Sequence, residues 1–125
     1  SVKLIVREYE ASKGNEFFIS YEDVNNDLIL GFCRLRFPFE SLREEITKET
    51  AIIRELHVYG PAVEIGKGGK VQHKGIGSKL IQKAENIASE YGKEKIVIIA
   101  GVGARKYFIE KLSYVQEGPY VSKFL

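Results

Sequence analysis

The 125-residue sequence contains one cysteine, Cys33, no methionine and no apolar run long enough to cross a membrane. A single cysteine excludes an internal disulfide framework and suits a reducing compartment. The N-terminus lacks the basic and then apolar pattern of a signal peptide, and no stretch of about 18 apolar residues predicts a membrane span. We therefore expect a cytoplasmic location and no membrane partner. Because the chain starts at Ser1 without a methionine, we expect a processed protein or, preferably, a piece of a longer one.

The formal net charge is only +2, which excludes a chain that is basic over its whole surface. Cys33 lies in an apolar, strand-like run, so we expect a small buried hydrophobic residue rather than a nucleophile. No Walker loop and no dinucleotide fingerprint is present. The sequence therefore does not indicate a nucleotide site built on a Walker loop or a dinucleotide site built on that fingerprint.

The basic residues are concentrated instead around one glycine-containing stretch, residues 72–77, which follows a strand-like run and opens a helix-like run. Gly75 and Gly77 allow backbone N–H groups to approach an anion, and a helix N-terminus adds partial positive charge. The stretch predicts a cradle for a ligand with a pyrophosphate and a further phosphate, although a solvated turn is the alternative. Between Gly66 and Lys83 the sequence has no acidic residue and five lysines: Lys67, Lys70, Lys74, Lys79 and Lys83.

Strand and helix signals alternate along a single α/β domain over residues 1–125. Three strand-like runs joined by short turns predict an antiparallel meander. An almost wholly apolar run, residues 95–100, predicts a strand at the centre of a sheet covered on both faces. The predicted order is strands over 4–9, 16–22, 28–37 and 51–59, a loop over 60–71, a helix over 78–91, a strand over 95–100, a helix over 104–112, and a bent strand or hairpin over 114–124.

Several short sequences point to a known family. The pattern Q-x-x-G-x-G at Gln72, Gly75 and Gly77 resembles the coenzyme A loop of the GNAT acetyltransferase superfamily. Others narrow the resemblance: REYEAS, EFFISYED, RLR, RELHVYG, AGVG followed by Arg105 and Tyr107, and EGPY. Together they resemble the C-terminal acetyltransferase-like domain of the Elongator catalytic subunit over nearly the whole chain. The resemblance implies a GNAT acyl-CoA N-acyltransferase fold, a mixed α/β (α+β) sheet with antiparallel N-terminal strands and then strand–loop–helix–strand–helix–strand.

The resemblance also implies a function. Members of that family start a 5-carboxymethyl-type modification of the wobble uridine of tRNA, and earlier descriptions call them histone acetyltransferases. A radical-SAM domain is joined to a second domain, which binds acetyl-CoA and releases the acetyl unit when tRNA is bound. An iron–sulfur cluster needs several cysteine thiolates, so we expect none in this chain and place the radical-SAM part in another domain or subunit. We expect tRNA binding by this chain alone to be weak.

Coenzyme A contacts follow from the same resemblance. The pantetheine arm of the cofactor should lie between the fourth and fifth predicted strands, aligned by backbone groups of the fourth. The pyrophosphate should lie on backbone N–H groups at the helix start, with charge support from Lys74 or Lys79. For both lysines the alternative is a solvated surface residue, which is slightly favoured for Lys79. The predicted cofactor-binding residues are Glu55, Leu56, His57, Val58, Gln72, Lys74, Gly75, Ile76, Gly77, Ser78 and Tyr107, with no metal site.

The polar residues of the fourth strand are candidates for catalysis. Strand alternation places Glu55, His57 and Tyr59 on one face, and residues 52, 54, 56 and 58 on the other. A carboxylate beside an imidazole can move protons near neutral pH, where a histidine's ordinary pKa of about 6.5 is suitable. The alternative is a hydrogen-bonded polar strip. Hydrolysis needs only a positioned water and an oxyanion donor, so a dedicated base is not required.

Tyr107 is the third catalytic candidate. GNAT domains often use a tyrosine after the fifth strand to protonate or bind the sulfur of coenzyme A, and Elongator-type chains have two adjacent tyrosines there. This chain has Tyr107, Phe108 and Ile109, with one residue inserted, so only Tyr107 offers a hydroxyl. A core-edge aromatic residue is the alternative role.

Two further functions remain open from the sequence. One is a stand-alone N-acetyltransferase acting on a protein, such as a histone lysine, or on a small amine. The other is a non-catalytic module that binds acetyl-CoA or RNA.

Overall fold

The computed structural model describes residues 2–11, 13–40, 46–59, 64–65, 69–70, 75–100 and 102–125. In chain order the elements are β1 (Val2–Glu10), β2 (Gly14–Asp23), β3 (Leu28–Pro38), β4 (Thr50–Val58), β5 (Glu64–Ile65), β6 (Gly69–Lys70), α1 (Ile76–Glu90), β7 (Lys95–Ile98), α2 (Val102–Leu112), β8 (Val115–Glu117) and β9 (Tyr120–Phe124).

Seven strands form one sheet in the order β1-β2-β3-β4-β7-β9-β8. β1 to β4 pair antiparallel, β4 and β7 pair parallel, and β9 pairs antiparallel with both β7 and β8. This confirms the predicted α/β mixed sheet and its N-terminal meander, and of the two alternatives for residues 114–124 it shows the hairpin. The stretch predicted as a loop over 60–71 also contains the short pair β5 and β6.

One face of the sheet, called the inner face below, is covered by α1. The helix presents apolar residues at helical spacing and packs on β2, β3 and β4. Gly92, with φ +78°, follows the helix in the left-handed conformation that favours glycine, as expected of a helix stop. The buried helix residues are Ile76, Leu80, Ile81, Ala84, Ile87 and Ala88.

β7 is buried on both sides, as its apolar sequence predicts. Ile96 and Ile98 belong to the inner cluster with α1, and Val97 belongs to a smaller cluster with Ile52 and Tyr120 on the opposite, outer face. The strand ends at Ile98, so the predicted end at Ala100 is wrong by two residues. Because residues 99 and 100 remain apolar, the sequence alone does not show where pairing stops.

Cys33 is fully buried in the inner cluster. Burial raises the pKa of its thiol to about 12, which disfavours the reactive thiolate near pH 7. Its assignment as a buried hydrophobic residue is confirmed. In the described part of the chain, no helix is both long and apolar enough to cross a membrane.

Candidate active site

A β-bulge in β4 determines which way its side chains point. Opposite β3, Arg34 pairs with Glu55 and Leu35 pairs with Ile53, so Arg54 is the extra residue. The bulge reverses the alternation of faces at this point. The prediction that residues 52, 54, 56 and 58 share a face is therefore wrong, because Ile52 packs in the outer cluster whereas Leu56 packs against the inner one.

Beyond the bulge, β4 and β7 diverge. Their parallel pairing runs only as far as Ile53 opposite Ile98, with one more hydrogen bond donated by the Ile99 N–H to the Ile53 carbonyl at 3.1 Å. The gap is a slot of about 260 Å³. Its lining residues are Ile53, Arg54, Glu55, Leu56, His57, Ile98, Ile99, Ala100, Ala104 and Phe108.

Helix α2 closes the wall of the slot on the β7 side. The buried ring of Phe108 lines the slot and packs edge-on against Tyr114, with 5.9 Å between ring centroids. Arg105 Nε donates to the Ala100 carbonyl at 3.4 Å and Nη2 donates to the Pro119 carbonyl at 3.3 Å. Arg105 therefore joins the chain after β7 to the β8–β9 turn and holds this wall in place.

The N-terminus of α1 presents its first backbone N–H groups beside the slot. Gly75 precedes the helix with φ +89°, and no side chain of the described residues caps it. The first turn contains no acidic residue, and the Ser78 hydroxyl donates to the Gly75 carbonyl at 3.1 Å. Because the first N–H groups of a helix have no intrahelical acceptor, those of residues 76–78 are available to an anion. Two predicted contacts, Gln72 and Lys74, lie outside the described residues.

Close packing joins this helix start to the strands. A Cβ on Gly31 in β3 would lie 2.9 Å from the His57 carbonyl oxygen and 3.1 Å from Ile76 Cγ2, so no larger residue fits there. On the other side, a Cβ on Gly77 would lie 3.6 Å from Val58 Cγ2 and 3.9 Å from the Tyr107 hydroxyl. The end of β4, the start of α1 and the Tyr107 hydroxyl therefore meet at one place.

Glu55 and His57 share the outer face, as predicted, and both line the slot. Arg34 Nε lies 2.8 Å from Glu55 Oε1, whereas His57 Nε2 lies 3.7 Å from Glu55 Oε2. The first distance is that of a hydrogen-bonded ion pair and the second is too long for a hydrogen bond. Arg34 therefore orients the carboxylate, and the imidazole makes no hydrogen bond to it.

Tyr107 is exposed and lies outside the lining of the slot, as does Val58. Its hydroxyl is at the α1 end of the site rather than among the slot residues. Phe108 lines the slot without offering a hydroxyl, and Ile109 is exposed. Of the described residues at the position of the expected tyrosine pair, only Tyr107 carries a hydroxyl near the site.

The structure thus brings Glu55, Leu56 and His57 to the slot and residues 75–78 to a helix start beside it that no described side chain caps. Gly31 was not predicted as part of the site, although a glycine inside a strand is a known sign of close backbone approach. Five residues that line the slot were not predicted to do so: Arg54, Ile99, Ala100, Ala104 and Phe108.

Comparison with known proteins places this geometry in a family. The model of the acetyltransferase (GNAT) family matches residues 3–114. The tRNA uridine(34) acetyltransferase of Methanocaldococcus jannaschii is 47% identical over 99% of this chain and 24% of its own length. Elongator complex protein 3 of Saccharomyces cerevisiae is 47% identical over 98% of this chain and 23% of its own length. The chain therefore spans about a quarter of these relatives.

Two solved structures have a similar fold. The archaeal Methanocaldococcus infernus Elp3 with an N-terminal deletion superposes with a TM-score of 0.86 at 43% identity, covering 99% of this chain and 30% of the other. An acetyltransferase of Bacillus subtilis in complex with CoA superposes with a TM-score of 0.54 at 15% identity, covering 98% of each chain, which shows the fold alone.

Proposed function

This chain belongs to the acetyltransferase (GNAT) family, and from that premise we propose that it binds acetyl-CoA between β4 and β7 and hydrolyses or transfers the acetyl group during modification of the wobble uridine of tRNA. The observation that carries the proposal is the slot opened by the Arg54 bulge, together with the helix start that β4 reaches at Val58. The resemblance to the Elongator-type domain is confirmed by the sequence relatives and by the archaeal structure.

The chain fits coenzyme A at two places. The α1 N-terminus, which no described side chain caps, offers N–H donors and partial positive charge, which suit a pyrophosphate. Among the described residues, no strand pairs with residues 54–57 on the side that faces β7. Their backbone groups there suit hydrogen bonds to the amides of an extended pantetheine arm. The lining is largely apolar, so it suits the methylene groups between those amides.

When bound, acetyl-CoA supplies an acetyl group activated as a thioester. In the proposal, backbone groups of residues 54–57 align the arm, and residues 75–78 bind the pyrophosphate. Gln72 and Lys74 remain proposed contacts at the same end.

Acid–base roles are proposed for three side chains. His57 accepts a proton from the attacking water or acceptor, because its ring is exposed beside the slot. Glu55, held by Arg34, stabilises the imidazolium that results. Tyr107 is the proposed donor to the departing thiolate, since its hydroxyl lies where β4 meets α1.

The tRNA part of the proposal comes from the relatives, one of which is a tRNA uridine(34) acetyltransferase. Because this chain spans about a quarter of that protein, we assign to it only the acetyl-CoA step. The uridine radical chemistry belongs to a radical-SAM domain or subunit, because Cys33 alone cannot hold a cluster. The proposed location is the cytoplasm, and the proposed tRNA affinity of this chain alone is weak.

A free-thiol assay with acetyl-CoA, run with and without tRNA, tests the proposal. We expect coenzyme A release that increases with tRNA. Turnover that requires an added lysine peptide or small amine and ignores tRNA would support a stand-alone N-acetyltransferase instead. Acetyl-CoA binding without any thiol release, even with tRNA, would support a non-catalytic module.

Mass spectrometry of tRNA nucleosides tests the division of labour. With acetyl-CoA, S-adenosylmethionine and reductant, we expect no modified uridine from this chain alone and a 5-carboxymethyl-type product once a radical-SAM partner is added. Modified uridine made by this chain alone would contradict the assignment.

A further inference from the structure

The two edge strands of the main sheet differ in length. β8 has three residues, whereas β1 has nine and pairs with β2 in one unbroken register. Among the described residues, no strand pairs with the other side of β1. A long, regular edge strand presents a row of backbone donors and acceptors to which another strand can pair. β1 is therefore the edge at which this sheet can be extended.

The hydrogen bonds between Ala11 and Gly14 show which backbone groups of β1 face outward. The Ala11 N–H donates to the Gly14 carbonyl at 2.9 Å, and the Gly14 N–H donates to the Ala11 carbonyl at 3.1 Å. Because such doubly bonded pairs alternate along an antiparallel ladder, the odd-numbered residues of β1 bond to β2. The backbone groups of the even-numbered residues therefore face away from the sheet: Val2, Leu4, Val6, Glu8 and Glu10.

The side chains of the same even-numbered residues lie on the inner face. Leu4, for example, is opposite Tyr21, which packs against the inner cluster. One end of this row is apolar, and its side chains Val2, Leu4 and Val6 are each 38% exposed. The other end carries the two glutamates. The row therefore changes from apolar to acidic along the strand.

Lysines of α1 lie beside the apolar end of the row. A groove of about 230 Å³ between β1 and α1 is lined by Leu4, Tyr21, Lys79, Gln82, Lys83 and Asn86. The Lys79 ammonium lies 5.6 Å from the Tyr21 ring centroid. In the described part of the chain, no carboxylate forms an ion pair with either lysine. This end of the edge is therefore apolar and basic, and it is complementary to the acidic end of the same strand.

We propose that two copies of this chain pair through their β1 strands, antiparallel and with Val6 on the two-fold axis, so that the two sheets become one. All nine residues of each strand then have a partner, and the outward backbone groups meet. Each Glu8 lies opposite Leu4 of the other copy, beside the Lys79 and Lys83 ammonium groups of that copy. Because a two-fold contact is isologous, every favourable pair occurs twice.

Charge selects this register and this partner. On the outer face the register pairs Lys3 with Tyr9 and Ile5 with Arg7. Moving the axis to Ile5 would place Lys3 opposite Arg7, and moving it to Arg7 would place the two Arg7 side chains opposite each other. Like charges directly opposite are destabilising. A second copy is favoured over a different polypeptide because β1 itself carries both halves of the charge pattern.

Analytical ultracentrifugation of this chain over a range of concentrations tests the proposal, with the urea unfolding midpoint measured for every variant. Val6→Pro removes an N–H that faces outward and leaves those that bond to β2, so it blocks the edge and preserves the β1–β2 pairing. Glu8→Lys preserves the backbone edge and brings a cation to the lysines of the other copy. Glu49→Lys is the matched control, because it makes the same change of charge at an exposed carboxylate before β4.

We expect the wild type and Glu49→Lys to dimerise reversibly, the average mass rising with concentration toward twice that of the monomer. Glu8→Lys should raise the dissociation constant of the dimer on the order of tenfold, because each charge pair is reversed twice. Val6→Pro should remain monomeric. A wild type that stays monomeric up to about 1 mM, or a folded Val6→Pro protein that dimerises as the wild type does, would overturn the proposal.

A charge exchange tests the register. Lys83→Glu and Glu8→Lys should each associate weakly alone, whereas their mixture restores both pairs across the axis and should associate as the wild type does. A mixture that associates no better than its components would overturn the assigned pairing and with it the proposal. β1 is three strands away from β4 in the sheet, so the pairing leaves the slot open and does not depend on acetyl-CoA.

Discussion

Replacing Gly77 by alanine should change stability and cofactor affinity in opposite directions. The added Cβ would lie 3.6 Å from Val58 Cγ2 and 3.9 Å from the Tyr107 hydroxyl, which are ordinary contacts that require no movement. Gly77 is inside α1, where alanine is favoured over glycine by up to about 1 kcal/mol. The free energy of unfolding should therefore stay the same or rise by a few tenths of a kcal/mol.

In the proposed cradle, coenzyme A affinity should fall, because the methyl group would keep the pyrophosphate from approaching the N–H groups of residues 76–78 closely. Loss of one hydrogen bond to a charged group costs about 1.5–3 kcal/mol, which corresponds to a dissociation constant about 10- to 100-fold higher. Calorimetry with coenzyme A and urea unfolding measure the two effects on the same samples.

Ser89→Ala is the matched control, because Ser89 is exposed near the C-terminal end of the same helix. It raises helix propensity by a comparable amount without touching the N-terminus. Unchanged coenzyme A affinity in a well-folded Gly77→Ala protein would refute the cradle.

Three further predictions follow from individual contacts. Cys33→Ala should cost about 1–2 kcal/mol of stability and leave thiol release intact, since Cys33 is buried with its pKa raised to about 12; lost turnover in a folded variant would reveal an acyl-cysteine route. Tyr107→Phe should leave the unfolding midpoint unchanged and slow thiol release on the order of a hundredfold, whereas an unchanged rate would make Tyr107 a surface aromatic residue. Hydrogen bonding from Lys95, 2.6 Å away, lowers the pKa of Glu117, so the wild type should exceed Glu117→Gln in stability above the carboxyl's ordinary value of 4.5. That advantage should disappear in urea titrations as pH falls through the lowered value, and an advantage independent of pH would contradict it.

The sequence predicted those elements whose stability depends on local pattern. The helix followed from Leu80, Ile81, Ala84 and their neighbours at helical spacing, and they pack as expected. Its stop followed from Gly92, whose positive φ suits glycine. Three N-terminal strands followed from short polar turns between β-rich runs.

The slot did not follow from the sequence, because it arises from pairing between strands distant in the chain. At the bulge, β4 advances by two residues, from Ile53 to Glu55, while the opposing β3 covers only the step between Leu35 and Arg34. No local pattern in the sequence marks Arg54 as the extra residue. Ile99 and Ala100 were predicted to extend β7 because the apolar run continues, but β4 has already turned away at that level. Phe108 was considered only as a missing hydroxyl, whereas in the fold its ring lines the slot.

Amide chemical-shift mapping of the 125-residue chain during titration with acetyl-CoA shows directly whether the cofactor lies in the slot. We expect the largest shifts in two groups, residues 54–57 with 98–100 along the slot and residues 76–78 at the start of α1. Saturable binding with those amides unmoved, and with shifts confined to another part of the sheet or to the far end of α1, would contradict it.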